Sequence, residues 1–358
     1  MNGLFSLARP FLRTVDAETA HWAGLTALKT GFYPADRSPD PESLKVKLFG
    51  LEFPNPIGVA AGFDKNGEVP DACLDLGFGF AEVGTVTPRP QPGNPKPRIF
   101  RLYEDNAVIN RLGFNNEGHD AVFARLSARK KTGITGINIG ANKTSSDMIA
   151  DYEAGVRLFA PLASYLTVNI SSPNTPGLSG LQERSQLENL VGRVTGALAE
   201  TIPEGERKPA LLVKIAPDLI DEELQDIAEV VLAGKIDGVI VSNTTIARPG
   251  LLSSKKSETG GLSGAPLFDP STRMLARFHQ ATSGKIPLIG VGGVHSAVTA
   301  WEKFRAGASL VQLYTGMVFE GPDLAVRIKN GLADKLRLEK HDSISEIIAS
   351  GVKEWAQT

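Results

Sequence analysis

The chain has 358 residues, enough for one large domain with an appendage or for two ordinary domains. With 42% hydrophobic and 22% charged residues it can pack a core, and a formal net charge of -2 gives no reason to expect nucleic acid as a partner. Its single cysteine, Cys73, excludes an internal disulfide and cysteine-based metal sites.

Residues 1–34 differ from the rest. Leu4, Leu7, Ala8, Phe11 and Leu12 fall on one helical face, with Arg9 and Arg13 off it. A second helix is expected from an Asp16 cap through Ala20, Trp22, Ala23, Leu25 and Leu28. The pair could pack on the rest of the protein or lie in a bilayer surface. No apolar run approaches the ~20 residues needed to span a bilayer. Arg9 and Arg13 also break the apolar stretch that a secretory signal would need.

Lys45–Asn55 reads as a hairpin turning near Gly50, placed to plug the bottom of a barrel. From Asn55 onward a short β-branched run followed by a helical stretch recurs. The runs are Pro56–Ala61, Phe80–Thr85, Ile134–Ile139, Leu166–Ile170, Leu211–Ile215, Gly238–Ser242, Pro287–Val291 and Ser309–Tyr314. Near-continuous apolar character suits strands buried on both faces of a parallel sheet. Between them, Asp221–Leu232, Pro270–Ala281 and Ser296–Ala306 read as helices, with Asp221 and Ser296 as N-caps and Gly234 and Gly307 as stops. Thr87–Phe100, rich in proline, reads as a rigid loop. Eight strand–helix units predict an α/β fold, a (β/α)₈ TIM barrel, with a doubly wound open sheet as the alternative. The expected division is a helical segment over 1–40, the barrel over 41–334 and a charged helical tail over 335–358.

Active sites of such barrels lie at the C-terminal ends of the strands. Those ends read Ala61-Gly-Phe-Asp-Lys65, Gly84-Thr85, Asn138, Asn169-Ile-Ser-Ser172, Lys214, Ser242-Asn-Thr244, Gly292-Gly293 and Tyr314-Thr315-Gly316. They are rich in amides, hydroxyls and glycines, carry two lysines, lack histidine and hold one carboxylate, Asp64. That set argues against a divalent metal and against paired-carboxylate chemistry. It suits an anionic heterocycle and a flavin, which take many oriented hydrogen bonds. Gly292-Gly293 and Thr315-Gly316 stand where barrels commonly bind phosphate, although glycines also mark tight turns. Lys214 could be a satisfied buried residue, a Schiff-base lysine or a fixed charge beside a flavin ring.

Several strings together carry a resemblance: Ala60-Ala-Gly-Phe-Asp-Lys65, Gly84-Thr-Val-Thr-Pro-Arg-Pro-Gln-Pro-Gly-Asn94, Asn110-Arg-Leu-Gly-Phe-Asn115, Asn138-Ile-Gly-Ala-Asn142, Asn169-Ile-Ser-Ser-Pro-Asn-Thr-Pro-Gly177, Val213-Lys-Ile-Ala-Pro-Asp218 and Gly260-Gly-Leu-Ser-Gly264. In this order they resemble the quinone-dependent dihydroorotate dehydrogenases, from about Leu4 to Leu332. The resemblance implies that FMN is lined by Ala61, Gly62, Phe63, Asp64, Lys65, Thr85, Asn138, Asn169, Lys214, Ser242, Gly264, Gly293, Tyr314 and Thr315. It implies that dihydroorotate is held by Lys65, Asn110, Arg111, Leu112, Gly113, Phe114, Asn169, Asn174, Asn243 and Thr244. Ser172 would be the catalytic base that takes the C5 proton, with the C6 hydride going to the flavin. Soluble relatives use a cysteine base, and here Cys73 falls inside an expected helix.

The same resemblance makes residues 1–34 a lipid-docked entrance for a membrane quinone, with His21, Arg101 and Tyr314 on the quinone side. It implies a monomer, peripheral on the cytoplasmic face of a bacterial inner membrane. The chain departs from the family pattern at Gly177-Leu-Ser-Gly180, where relatives often carry an arginine after the leucine, and at Val318, where some place a polar residue. Other acceptors, a flavin-free lysine lyase and a non-catalytic lipid-binding module are the competing functions.

Overall fold

The computed structural model describes residues 10, 14–130, 133–171, 179–248 and 250–357. The first expected helix, Ser172, Asn174 and residues 177–178 of the following loop therefore lie outside the described residues.

Eight parallel strands close a barrel: β3 (Ile57–Val59), β4 (Phe80–Val86), β7 (Thr135–Ile139), β8 (Tyr165–Asn169), β9 (Ala210–Ile215), β10 (Gly238–Val241), β12 (Leu288–Val291) and β13 (Ala308–Leu313). Each pairs with the next in chain order, and β13 returns to β3 through Val311–Ile57 and Leu313–Val59. The open-sheet alternative is thereby excluded. All eight expected runs became strands, because a strand covered on one side by helices and on the other by the barrel interior must be apolar throughout.

The hairpin β1 (Val46–Leu48) and β2 (Leu51–Phe53) closes the lower end. Phe53 meets Phe80 edge to face at 5.3 Å, and Phe49 lies against Gly238 at the start of β10. Above these rings the barrel interior turns polar, with Glu82, Thr167 and Gln312 wholly buried.

The outer helices obey ordinary capping rules, with one departure from expectation. Ser296 caps the helix Ala297–Arg305, accepting the Thr299 N–H at 3.2 Å. Asp221, by contrast, is the first residue of its helix and not the cap. The cap position is Ile220, whose N–H donates to Glu223 Oε2 at 3.0 Å, while Asp221, Glu222 and Glu223 complement the helix dipole. Gly234 has an ordinary φ of -83°, and the left-handed turn falls on Lys235. Glycine stands at 234 for space, since a Cβ there would come within 2.2 Å of Val191 Cγ1.

One region went unread in the sequence. The antiparallel strands β5 (Ile99–Leu102), β6 (Ala107–Asn110) and β11 (Gly261–Gly264) form a separate three-stranded sheet with its own core of Phe100, Leu102, Ala107, Ile109, Leu251 and Leu262. The proline-rich loop thus ends two residues early, at Arg98. At the C-terminus one helix, Leu324–Glu339, runs through residue 334. A final helix, Val352–Gln357, sets Trp355 against Phe268 with ring centroids 5.7 Å apart.

Helix α1 (Ala17–Lys29) stands against β5. Asp16 Oδ1 caps it, accepting from Glu18 N at 3.1 Å and Thr19 N at 2.9 Å, which contributes about 1 kcal/mol. Leu25 and Leu28 are buried, each contributing roughly 2 kcal/mol. Trp22 stays 42% exposed, and Phe32 just beyond the helix 79%. Among the described residues no helix is long and apolar enough to cross a membrane.

Candidate active site

One cavity of about 640 Å³ runs from the C-terminal ends of the barrel strands to α1. Its inner part is polar. β3 delivers Ala61, Gly62, Phe63 and Lys65, β4 Thr85, and β6 and the loop after it Asn110 and Leu112–Phe114. β8 adds Asn169, β9 Lys214, β10 Ser242–Thr244, β11 Ser263 and Gly264, and β12 and β13 Gly292, Gly293, Tyr314 and Thr315. Its outer part is apolar, walled by Ala17, Ala20, Gly24, Ala27 and Leu28 of α1 with Val318 and Pro322 opposite.

Most expected site residues therefore share one space. Three do not face it. Asp64 is 1% exposed and its carboxylate accepts the N–H groups of Glu68 at 2.9 Å and Val69 at 2.7 Å. It builds the turn that presents Lys65, and burial raises its carboxyl above the usual range. Asn138 lies one layer beneath, wholly buried, bonded to Thr85 Oγ1 at 2.6 Å and to Glu82. Arg111 turns away to Glu258 at 2.8 Å and stacks on Phe100, while its neighbours Leu112–Phe114 line the cavity.

The amides form a connected set. Asn169 Nδ2 donates to Thr85 Oγ1 at 3.0 Å, and Asn243 Nδ2 donates to Ser171 Oγ at 3.1 Å. Thr244 N–H donates to Asn243 Oδ1 at 2.8 Å. Lys65 Nζ donates to Gly62 O at 2.8 Å, and burial pushes its ammonium down to about 8. Lys214 is 6% exposed and makes no hydrogen bond or ion pair among the described residues. Burial lowers its proton affinity, opposed by the negative charge of Glu82.

Two features fit a flavin mononucleotide. A buried lysine without a partner among the described residues, lining a cavity, calls for an electron-rich group beside it. Gly293 has φ +73°, and a Cβ there would come within 2.4 Å of Phe268 Cα, so the turn leaves bare backbone as a phosphate cradle requires. Thr315 is fixed nearby, its hydroxyl donating to Ser263 Oγ at 2.9 Å. Ser263 is a cavity residue that strand-end reading missed, because it belongs to the separate sheet.

At the outer end, Tyr314 O–H and His21 Nδ1 meet at 3.3 Å, and both rings stand edge-on to Phe63, at 5.4 and 5.7 Å. Burial, aided by the charge of Lys65, pushes the His21 imidazole down to about 3, so it is neutral near pH 7. The Tyr314 phenol is raised by burial and stays protonated. Arg101 also lines the cavity, its guanidinium donating to Val15 O and lying 5.5 Å from the Tyr103 ring. The three expected quinone-side residues are thus together at the mouth beside α1.

Fold and site define a (β/α)₈-barrel enzyme with a helix-walled entrance. The family model described as dihydroorotate dehydrogenase matches residues 43–336. The dihydroorotate dehydrogenase (quinone) of Parvibaculum lavamentivorans is 59% identical over 351 residues, covering 98% of this chain and 99% of that protein. The protein of the same name from Brucella ovis is 58% identical over 359 residues, covering 99% and 98%. The ligand-free crystal structure of DHODH from Eimeria tenella superposes with a TM-score of 0.90 at 42% identity, over 94% of this chain and 99% of that one. The ferulenol complex of the E. tenella protein gives 0.89 at 41%, over 94% and 95%. The chain belongs to the dihydroorotate dehydrogenase family.

Proposed function

We propose that this chain oxidises (S)-dihydroorotate to orotate in pyrimidine biosynthesis, with FMN as bound carrier and a membrane quinone as electron acceptor. The observation that carries the reading is one continuous cavity, polar with amides and lysines at the strand ends and apolar beside α1. Relatives named for the quinone-dependent reaction, similar over nearly their whole length, support it.

Lys65 and the amides of Asn110, Asn169 and Asn243 would orient the anionic ring, with Asn174 and Thr244 completing the set. Ser172, outside the described residues, would take the C5 proton. A serine is a poor base in water, so exclusion of solvent would have to be part of its activation. Lys214 would set a positive charge beside the flavin ring, and the Gly292–Gly293 turn with Thr315 would take its phosphate. Bound FMN would supply a two-electron carrier between two half-reactions. Dihydroorotate gives up a proton from C5 and a hydride from C6, and the two electrons and two protons reappear on the quinol. His21, Arg101 and Tyr314 would meet the quinone ring. Residues 1–34 would dock on lipid, with Trp22 and Phe32 exposed beside the entrance. We assign the protein to the cytoplasmic face of a bacterial inner membrane, as a monomer.

The test is a visible absorption spectrum of the purified protein under anaerobic conditions. A flavin band that bleaches with dihydroorotate and returns with a quinone is the expected result. A band that dihydroorotate leaves unchanged removes the substrate, and a missing band after added FMN removes the whole reading.

A further inference from the structure

Glu82 sits in the middle of β4, wholly buried, in a run whose other residues are apolar, small or hydroxylic. Its Oε1 accepts from Asn138 Nδ2 at 2.7 Å. Its Oε2 accepts from the Tyr165 hydroxyl at 2.9 Å and from Gln312 Nε2 at 2.7 Å. Three donors converge on its two oxygens, so both oxygens act as acceptors. Asn138, Tyr165 and Gln312 come from β7, β8 and β13, so the carboxylate ties the inside of the barrel together.

An acceptor-only group at the base of a network of amides gives that network a direction. Asn138 must turn its NH₂ toward Glu82, so its Oδ1 faces upward and takes the Thr85 O–H at 2.6 Å and Asn169 Nδ2 at 3.2 Å. The single proton of Thr85 is used there, so its lone pair receives Asn169 Nδ2 at 3.0 Å. Asn169 then has its NH₂ committed downward and presents Oδ1 to Ser171 Oγ at 3.3 Å and Asn243 Nδ2 at 3.4 Å. An asparagine amide reversed end for end has the same shape and exchanges donor for acceptor. With a neutral amide in place of Glu82, Asn138, Thr85 and Asn169 could reverse at the loss of only the long Ser171 N–H contact to Asn169 Oδ1 (3.4 Å), whereas Asn243 stays fixed by the Thr244 N–H at 2.8 Å.

We propose that Glu82 is a positioning residue. From the floor of the barrel it fixes the donor and acceptor orientation of Asn138, Thr85 and Asn169, and so the hydrogen-bond pattern that Asn169 presents to the bound heterocycle. The inference rests on the reading of this cavity as the dihydroorotate and FMN site. It assigns to a residue that touches neither ligand the selection of one of two mirror patterns.

The variant is Glu82→Gln, nearly isosteric, with Tyr165→Phe as its control. The control removes one donor from the same carboxylate and leaves Asn138 facing an acceptor. Orotate affinity is read from the shift of the flavin spectrum on titration, together with kcat, KM and the melting temperature. Glu82→Gln is expected to retain FMN and to weaken orotate at least about tenfold, with Tyr165→Phe within about twofold of the native protein at similar loss of Tm. Equal effects in the two variants, or an unchanged orotate affinity in Glu82→Gln, overturn the proposal.

If Glu82→Gln does not fold, the exchange Glu82→Gln with Gln312→Glu keeps one carboxylate in the floor but moves it off Asn138. A persisting orotate defect in that pair supports the proposal, and recovery to native affinity overturns it. A wild-type protein with no orotate response refutes the functional reading and leaves a separate readout. In ¹⁵N-asparagine-labelled protein the buried side-chain amides should give one set of resonances, and two sets after Glu82→Gln. A single unchanged set in the variant overturns the positioning role whatever the ligand.

Discussion

The guanidinium of Arg98 grips the carboxylate of Glu18 through two hydrogen bonds, Nε to Oε2 at 3.1 Å and Nη2 to Oε1 at 2.7 Å. Both side chains are under 10% exposed. The same guanidinium holds the carbonyls of Pro92 and Asn94 at 2.6 and 2.8 Å through Nη1. One cation thus joins the entrance helix to the proline-rich loop whose Asn94 in turn bonds the carbonyl of Arg111 beside the polar end of the cavity. Removing one partner of a buried pair costs about 3–5 kcal/mol. Arg98→Leu should therefore lower stability by about that amount, read by urea unfolding.

Arg98 also holds the Glu18 carboxyl below the usual carboxylate range. A lowered folded-state pKa gives stability that is present above the unfolded value of about 4.3 and is lost as pH falls through the folded value. The Tm difference between the native protein and Glu18→Gln should be constant from neutral pH to about 5 and close below about 4.3. A difference that persists unchanged into strong acid would mean the pair contributes by shape and not by charge.

If the proposed substrate site is right, Lys65 should set the alkaline limit for orotate binding. With its ammonium pushed down to about 8, it is charged at neutral pH and neutral above that value. Only the charged form attracts a carboxylate, so orotate affinity should be flat up to about pH 8 and then fall about tenfold per pH unit. Lys65→Arg, permanently charged, should bind without that decline. A native profile flat to pH 10 would remove Lys65 from the binding contact.

Lys214 carries a buried charge with no partner of its own among the described residues. Lys214→Met should raise the melting temperature of the flavin-free protein, because an unpaired buried ammonium is costly. It should also weaken FMN by about 10–100-fold, the range for losing a hydrogen bond to a charged group. Equilibrium dialysis of apoprotein with FMN measures the second effect. Weakened FMN without stabilisation of the apoprotein would show that Lys214 is satisfied in the free state.

Ser172→Ala should keep FMN bound while anaerobic flavin reduction by dihydroorotate slows by orders of magnitude, read by stopped-flow absorbance. Reduction near the native rate would rule Ser172 out as the base.

The barrel was legible because its strands have no solvent face: Val239-Ile-Val241 and Leu288-Ile-Gly-Val291 are apolar without alternation, and the parallel ladder demands that. The three-stranded sheet was not legible, since Ile99–Leu102 emerges directly from a proline-rich loop and Gly261–Gly264 contains two glycines. Within the site, reading only strand ends found Lys65, Lys214 and the asparagines but passed over Ser263 and Glu82. Glu82 had a signal, an acid in the middle of an otherwise uncharged strand, and so did Gln312 between Val311 and Leu313. Both point inward, where the barrel is polar above its aromatic base, and a single polar residue inside an otherwise apolar strand marks that polar interior. Asp64 shows the reverse error, since a carboxylate at a strand end turned out to hold a turn.

The last helix matters to anyone who handles this protein. Trp355 packs on Phe268, and the backbone of Phe268 is what a side chain at Gly293 would strike. The C-terminal residues therefore brace the Gly292–Gly293 turn from behind, although they contribute no strand. A chain cut at about residue 340 should release its flavin on warming before the barrel melts, and a purification tag is better joined through a spacer long enough to leave Trp355 seated.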